Sequence, residues 1–142
     1  MVAVNAVLTA EDRELLQRPL HGFFTAAGGE APPQPRPVWF EVSSSGAIQL
    51  FTAPNSPKVR QLTRDSRASL IVAAPVGERE RWVSIAGPVT IQREGARELL
   101  KRLAARYWAA DEPERAAELA AMLDQEWVRI LIHPEKVSRY AM

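Results

Sequence analysis

The run VWFEV at residues 38–42, the turn SSSG and the run AIQLFTA at 47–53 constrain the fold more than any other part of the chain. Two apolar-rich segments separated by four turn formers close on themselves as an antiparallel hairpin. Side chains alternate along a strand, so Val38, Phe40 and Val42 share one face and Trp39 and Glu41 the other. Further short runs follow the same grammar. LHGFFTAA (20–27) precedes a proline- and glycine-rich loop, GGEAPPQPRP (28–37). ASLIVAAP (68–75) is apolar on both faces, as a central strand or one beneath a partner would be. WVSIAGPVTIQ (82–92) is a long strand whose Gly-Pro interruption predicts a bulge or bend. EWVRILIHP (126–134) alternates and reads as a last strand.

Helical periods interrupt this pattern. Thr9 with Asp12 three residues on opens a short helix that Pro19 closes. Ala96, Leu99, Leu100, Leu103, Ala104, Tyr107 and Trp108 form one stripe. A second helix over 113–125 repeats it with Ala116, Leu119, Ala120 and Leu123, after Pro113 near its start. Six strands on hairpin-scale connections, with helices interposed, predict a mainly β (α+β) fold: a six-stranded antiparallel barrel with flanking helices. At 142 residues the chain reads as one domain, 1–142.

Composition removes whole classes of function. With 18 basic and 17 acidic residues, no field recruits nucleic acid or an anionic membrane. There is no cysteine, so thiolate chemistry and disulfides are excluded. The N-terminus lacks the basic region of a signal peptide, and no apolar run spans a bilayer, so a cytoplasmic protein is expected. His21 and His133 have no carboxylate at metal-ligand spacing, and no metal is expected. Nucleophile-elbow, P-loop and dinucleotide fingerprints are absent. Four tryptophans are many for this length. Trp108 and Trp127 fit core positions, whereas Trp39 and Trp82 stand at strand starts beside loops and could line a pocket.

The segment LFTAPNSPKVRQL (50–62) carries the strongest chemical signal. Ser56 as N-cap and Pro57 as first helical residue leave free backbone N–H groups at a helix end whose dipole favours an anion. Lys58 adds a full charge in the first turn, and Arg36 can approach from the neighbouring strand.

In their order, RPVWFEV, LFTAPNSPKVRQLTRDSRASLIV and RWVSIAGPVTI resemble the flavin-binding split barrel of the pyridoxamine 5′-phosphate oxidase-related proteins. The likeness is close over residues 20–92 and looser in the last strand. It is most specific in the T-x-x-x-S-x-K spacing of Thr52, Ser56 and Lys58. It implies a split β-barrel, a homodimer, and FMN held by Arg36, Pro37, Val38, Trp39, Phe40, Phe51, Thr52, Ser56, Pro57 and Lys58. Trp82 is where the partner subunit would reach the ring. The implied activity is hydride transfer between FMN and a small substrate. Two departures qualify this. Pro57 stands where the oxidase proper carries an arginine, which leaves room for the deazaflavin coenzyme F-420. The tail HPEKVSRYAM has no counterpart of the oxidase's arginine–histidine segment, so vitamin oxidation is not implied. A non-enzymatic flavin or tetrapyrrole carrier is the alternative from another class.

Overall fold

The computed structural model describes residues 2–5 (backbone alone), 7–29, 31–109 and 111–142. Among them the hairpin forms as its turn chemistry demands. Strands β4 (Glu41–Val42) and β5 (Ile48–Thr52) pair antiparallel, Glu41 opposite Gln49 and Val42 opposite Ile48. The turn closes with the Gly46 N–H on the Ser43 carbonyl at 2.9 Å, and Gly46 takes φ +93°, a left-handed conformation that disfavours a Cβ.

The remaining strands are β1 (Val2–Asn5), β2 (Gly22–Ala26), β3 (Arg36–Val38), β6 (Arg67–Ala73), β7 (Arg81–Gln92), β8 (Val128–Ile132) and β9 (Lys136–Ala141). The sheet order is β3-β2-β6-β7-β8-β5-β4, with β9 beside β7 and β1 beside β9. All ladders are antiparallel, and the sheet curls into a split barrel.

The strand count among the described residues, nine rather than six, differs from the sequence reading for three reasons. The segment 36–42 splits, because the chain turns at Trp39 and Phe40 so that β3 pairs with β2 and β4 with β5. The tail Lys136–Ala141 pairs along β7, and Val2–Asn5 pairs along the tail. The expected face alternation survives the split. Phe40 is fully buried, and Val38 and Val42 pack against the core. At Gly87–Pro88, β7 changes partners, from β6 and β9 before it to β8 after it. A Cβ on Gly87 would lie 1.8 Å from the His133 carbonyl oxygen, so only glycine permits this crossing.

The core lies inside the curl. Phe24, Phe40, Ile48, Leu50, Leu70, Ile85 and Ile130 are buried there, with Leu15 and Leu16 of helix α1 (Ala10–Leu16). Each such side chain contributes about 1.5–3 kcal/mol when fully buried. The expected capping box opens α1: the Asp12 N–H donates to Thr9 Oγ1 at 3.1 Å, and the Thr9 N–H donates to Asp12 Oδ2 at 2.8 Å. Asp12 also accepts two prongs of Arg139 from β9, at 2.9 and 2.7 Å, tying helix to sheet.

Helix α3 (Ala96–Tyr107) buries Ala96, Leu99, Leu100, Leu103 and Ala104 as its stripe requires. Helix α4 (Pro113–Leu123) does not: none of its residues is buried, and Ala116 and Ala120 are exposed. Its period is helical, but it lies against α3 without burying a side chain there. Trp127 precedes β8 and is half-buried rather than a core strand residue.

Candidate functional site

Helix α2 (Pro57–Arg64) begins as its sequence dictates. Ser56 is extended at φ −67°, ψ 159°, and its hydroxyl accepts the Val59 N–H at 3.3 Å. Pro57 holds the first helical position, and Lys58 follows in the first turn. Lys58 is half-buried, and its ammonium has no ion-pair or hydrogen-bond partner among the described residues. Burial, reinforced by the nearby Arg36 charge, pushes the Lys58 ammonium below the usual lysine range.

Two hollows meet at this lysine. On one side a groove of about 500 Å³ is lined by Gly28, Gly29, Gln34, Arg36, Lys58, Gln61 and Arg64, among others. Lys58, Gln61 and Arg64 lie on one face of α2 at helical spacing, so the groove's cationic wall extends about 9 Å along the helix. Arg36 donates only to its own loop, to the Pro35 carbonyl at 3.2 Å and to Gln34 Oε1 at 2.5 Å. Arg64 has no partner among the described residues. Arg60 turns away and donates to the Asn55 carbonyl at 2.7 Å. Gly28, at φ +80°, brings the loop against α2; a Cβ there would lie 2.9 Å from Asp65 Cβ.

On the other side a cleft of about 450 Å³ is lined by His21, Pro37, Val38, Trp39, Phe51, Lys58, Trp108 and Met122. Its aromatic wall is a set of rings in mutual contact. Trp39 stacks on Tyr107 with centroids 5.2 Å apart and planes 4° from parallel. Trp108 meets Trp39 edge-on at 5.0 Å, and Trp127 meets Phe51 at 5.2 Å. The Tyr107 hydroxyl donates to the Leu20 carbonyl at 2.7 Å. Between groove and cleft runs β3, an edge strand whose outer side pairs with no other strand among the described residues.

The structure therefore gathers Arg36, Pro37, Val38, Trp39, Phe51, Pro57 and Lys58 around these two hollows. Ser56 supports them from behind as the cap. Phe40 and Thr52 are buried, so the Phe40 side chain belongs to the core. Trp82 lines neither hollow; it lies on β7, stacked on Tyr140 at 6.2 Å. Among the described residues no group of three metal ligands occurs.

Sequence reasoning missed several lining residues. Trp108 ends α3 and walls the cleft instead of the core, and Met122, His21, Gln61 and the two loop glycines went unassigned. The Tyr107–Trp108 pair at the very end of the stripe was the available signal, since a helix end is where an apolar stripe runs past the core.

The family model of pyridoxamine 5′-phosphate oxidase matches residues 8–137. The chain belongs to that family. No curated protein is significantly similar to it. Among solved structures it is similar to the conserved hypothetical protein Rv2991 from Mycobacterium tuberculosis, at 22% identity and a TM-score of 0.77, covering 95% of this chain and 86% of that one. An F-420 reductase aligns at 19% identity and a TM-score of 0.67, covering 88% of this chain and 94% of that one. A FAD-binding protein from Mesorhizobium loti aligns at 18% identity and a TM-score of 0.63, covering 98% and 97%. At these identities the likeness establishes the split-barrel fold of this family member. Membership of this family supports a flavin-type oxidoreductase.

Proposed function

We propose that the protein is an oxidoreductase that binds a flavin-type coenzyme along the open edge of β3. The observation that carries this reading is the placement of Lys58, a partnerless, half-buried cation shared by a basic groove and an aromatic cleft. A ligand satisfying both is anionic at one end and a flat ring at the other. The residues fit such a coenzyme: Lys58, Arg36 and the α2 terminus take the phosphate, and Pro37, Val38 and Trp39 border the ring. When bound, the coenzyme supplies hydride transfer to or from a small substrate. The chain's part is anchoring, orientation and exclusion of water.

The sequence favoured FMN; the groove favours the longer deazaflavin coenzyme. FMN ends in a compact phosphate, which needs only the Lys58 end. The basic wall continues about 9 Å to Arg64, where a diester tail with further carboxylates would meet it. Pro57 adds neither charge nor N–H at the point where a dianion would need most. The site is completed in a two-fold dimer, which would bring the partner's copy of the β7 segment, Trp82 included, to the ring.

Titration of the apo-protein with FMN and with the deazaflavin coenzyme at one salt concentration tests this. Deazaflavin binding about ten-fold tighter, or 1.4 kcal/mol, is expected. Tighter FMN binding reverses the choice, and no binding of either favours the non-flavin, tetrapyrrole carrier.

A further inference from the structure

A hydride delivered to a carbonyl compound leaves a negative oxygen, so the reaction is complete only when a proton arrives as well. No residue lining the groove or the cleft carries a carboxylate or a hydroxyl. Arg36 and Arg64 do not deprotonate, and Lys58 is committed to the coenzyme's anionic end. One acid–base side chain is left in the lining, His21. Histidine is the side chain whose ordinary titration range spans neutral pH.

The fold fixes His21 at the cleft while leaving its nitrogens free. The residue stands one position before β2, whose Gly22 pairs with Val38, so it enters the cleft beside the turn at Trp39. Its ring lies on that of Tyr107, with centroids 6.2 Å apart and planes 17° from parallel, and Tyr107 stacks on Trp39 in turn. The end of α3 holds the backbone that leads to it. The Tyr107 hydroxyl donates to the Leu20 carbonyl at 2.7 Å, and Arg106 donates to the Leu16 and Arg18 carbonyls at 2.7 and 2.6 Å. The imidazole nitrogens have no hydrogen-bond partner among the described residues, and the side chain is exposed, so it exchanges protons with water. The charged groups of the elements around it are Lys58 in the same cleft, Arg106, 5.5 Å from the Tyr107 ring centre, and Arg18, which is paired with Glu78. No carboxylate of the described residues contacts the imidazole.

We infer that His21 is the proton donor of the reaction, acting on a carbonyl acceptor. The acceptor's electron-poor carbon takes the hydride of the reduced coenzyme, and a new C–H bond forms. The displaced π electron pair moves onto the carbonyl oxygen, which takes a proton from the imidazolium as the N–H bond breaks. The acceptor gains two electrons and the coenzyme loses two. The neutral imidazole left behind is reprotonated from water. In the opposite direction the same nitrogen accepts the proton. This role rests on the coenzyme reading, because the proton is needed only where a hydride is transferred.

The experiment has a binding arm and a kinetic arm. The chain holds two histidines, His21 and His133, so its proton NMR spectrum shows two imidazole C2–H signals, assigned with His21→Gln. Adding oxidised coenzyme is expected to move the His21 signal and leave that of His133 in place. In stopped flow, the protein loaded with reduced coenzyme is mixed with 2-cyclohexen-1-one, a simple conjugated carbonyl probe. His21→Gln should slow the hydride step about 100-fold or more, the size of a general-acid contribution, with coenzyme affinity held within about two-fold. The wild-type rate should fall as pH rises through the histidine range, because the imidazolium is the donor, and that limb should vanish in the variant. Free imidazole should restore part of the rate of His21→Ala, which a merely structural role would not allow. A His21 signal indifferent to coenzyme, no reduction of the probe by loaded wild type, or a variant as fast as wild type overturns the inference and leaves the coenzyme reading standing. Failure of the wild type to bind either coenzyme defeats both.

Discussion

At the scale of single residues, Lys58 is a cation placed where it is uncomfortable. Burial and Arg36 both disfavour its charge, and no carboxylate of the described residues compensates. An anion removes that penalty, so binding stabilises the protonated form. Charge-assisted bonds contribute about 1.5–3 kcal/mol each. Lys58→Ala should therefore weaken coenzyme binding by about ten-fold or more, measured by fluorescence titration; unchanged affinity would remove Lys58 from the site. The pH dependence has a definite sign. Because the free lysine titrates below its usual range, affinity should begin to fall on the alkaline side before an ordinary lysine would deprotonate. The Lys58→Arg variant should hold its affinity through that window. Asp12 carries the opposite logic: burial alone would raise its pKa, but Arg139 and Thr9 outweigh it and hold the carboxyl below the usual value. Its stabilisation is present above the unfolded carboxylate pKa and disappears as pH falls through the lower folded value. Asp12→Ala removes the carboxylate half of the capping box, leaves the Thr9 cap in place and strands Arg139, costing about 2–4 kcal/mol in denaturant unfolding. A loss below about 1 kcal/mol would show that the pair is worth no more than an exposed one.

At the scale of elements, α2 and α4 were equally legible as helices yet do different things. The α2 start is local chemistry: serine cap, proline, then cation. Ser56→Ala should cost about 1 kcal/mol, lowering Tm by about 3 °C in a chain of this size. An unchanged Tm would mean that Pro57 and tertiary packing fix the helix start alone. The apolar stripe of α4 promised a buried face that the fold does not provide. Periodicity reports that a helix has two faces, not what covers them. Trp108 shows the same limit: its stripe position is correct, but α3 ends there, so the side chain extends beyond the core to the cleft.

At the scale of the whole molecule, the outer surface of the β2-β6-β7 sheet is the unsatisfied feature. Phe23 and Ile71 stand opposite each other, 45% and 38% exposed, and Ala73 lies opposite Trp82 beside Tyr140. A face of this kind, on one continuous sheet, suits a two-fold contact of at least about 1,000 Å². The wild-type protein is expected to sediment as a dimer at micromolar concentration, and Ile71→Lys to yield monomer with weakened coenzyme binding. A wild-type monomer that still binds coenzyme would refute both the dimer and the shared site.

What the sequence determined by itself was everything decided within a few residues of contact. The 38–53 hairpin, the Thr9–Asp12 box, the α2 cap and the Lys58 end of the groove follow from turn residues, caps and alternation, which act locally. Tertiary structure decided whatever depends on residues far apart in the chain. It split 36–42 between two partners, because Phe40 turns into the core there. It paired the tail with β7, where an exposed edge was waiting. It brought Trp39, Phe51, Trp108 and Met122, which span more than half of the chain, to one cleft. No spacing rule links such positions, since only the curl of the sheet sets the distance between them.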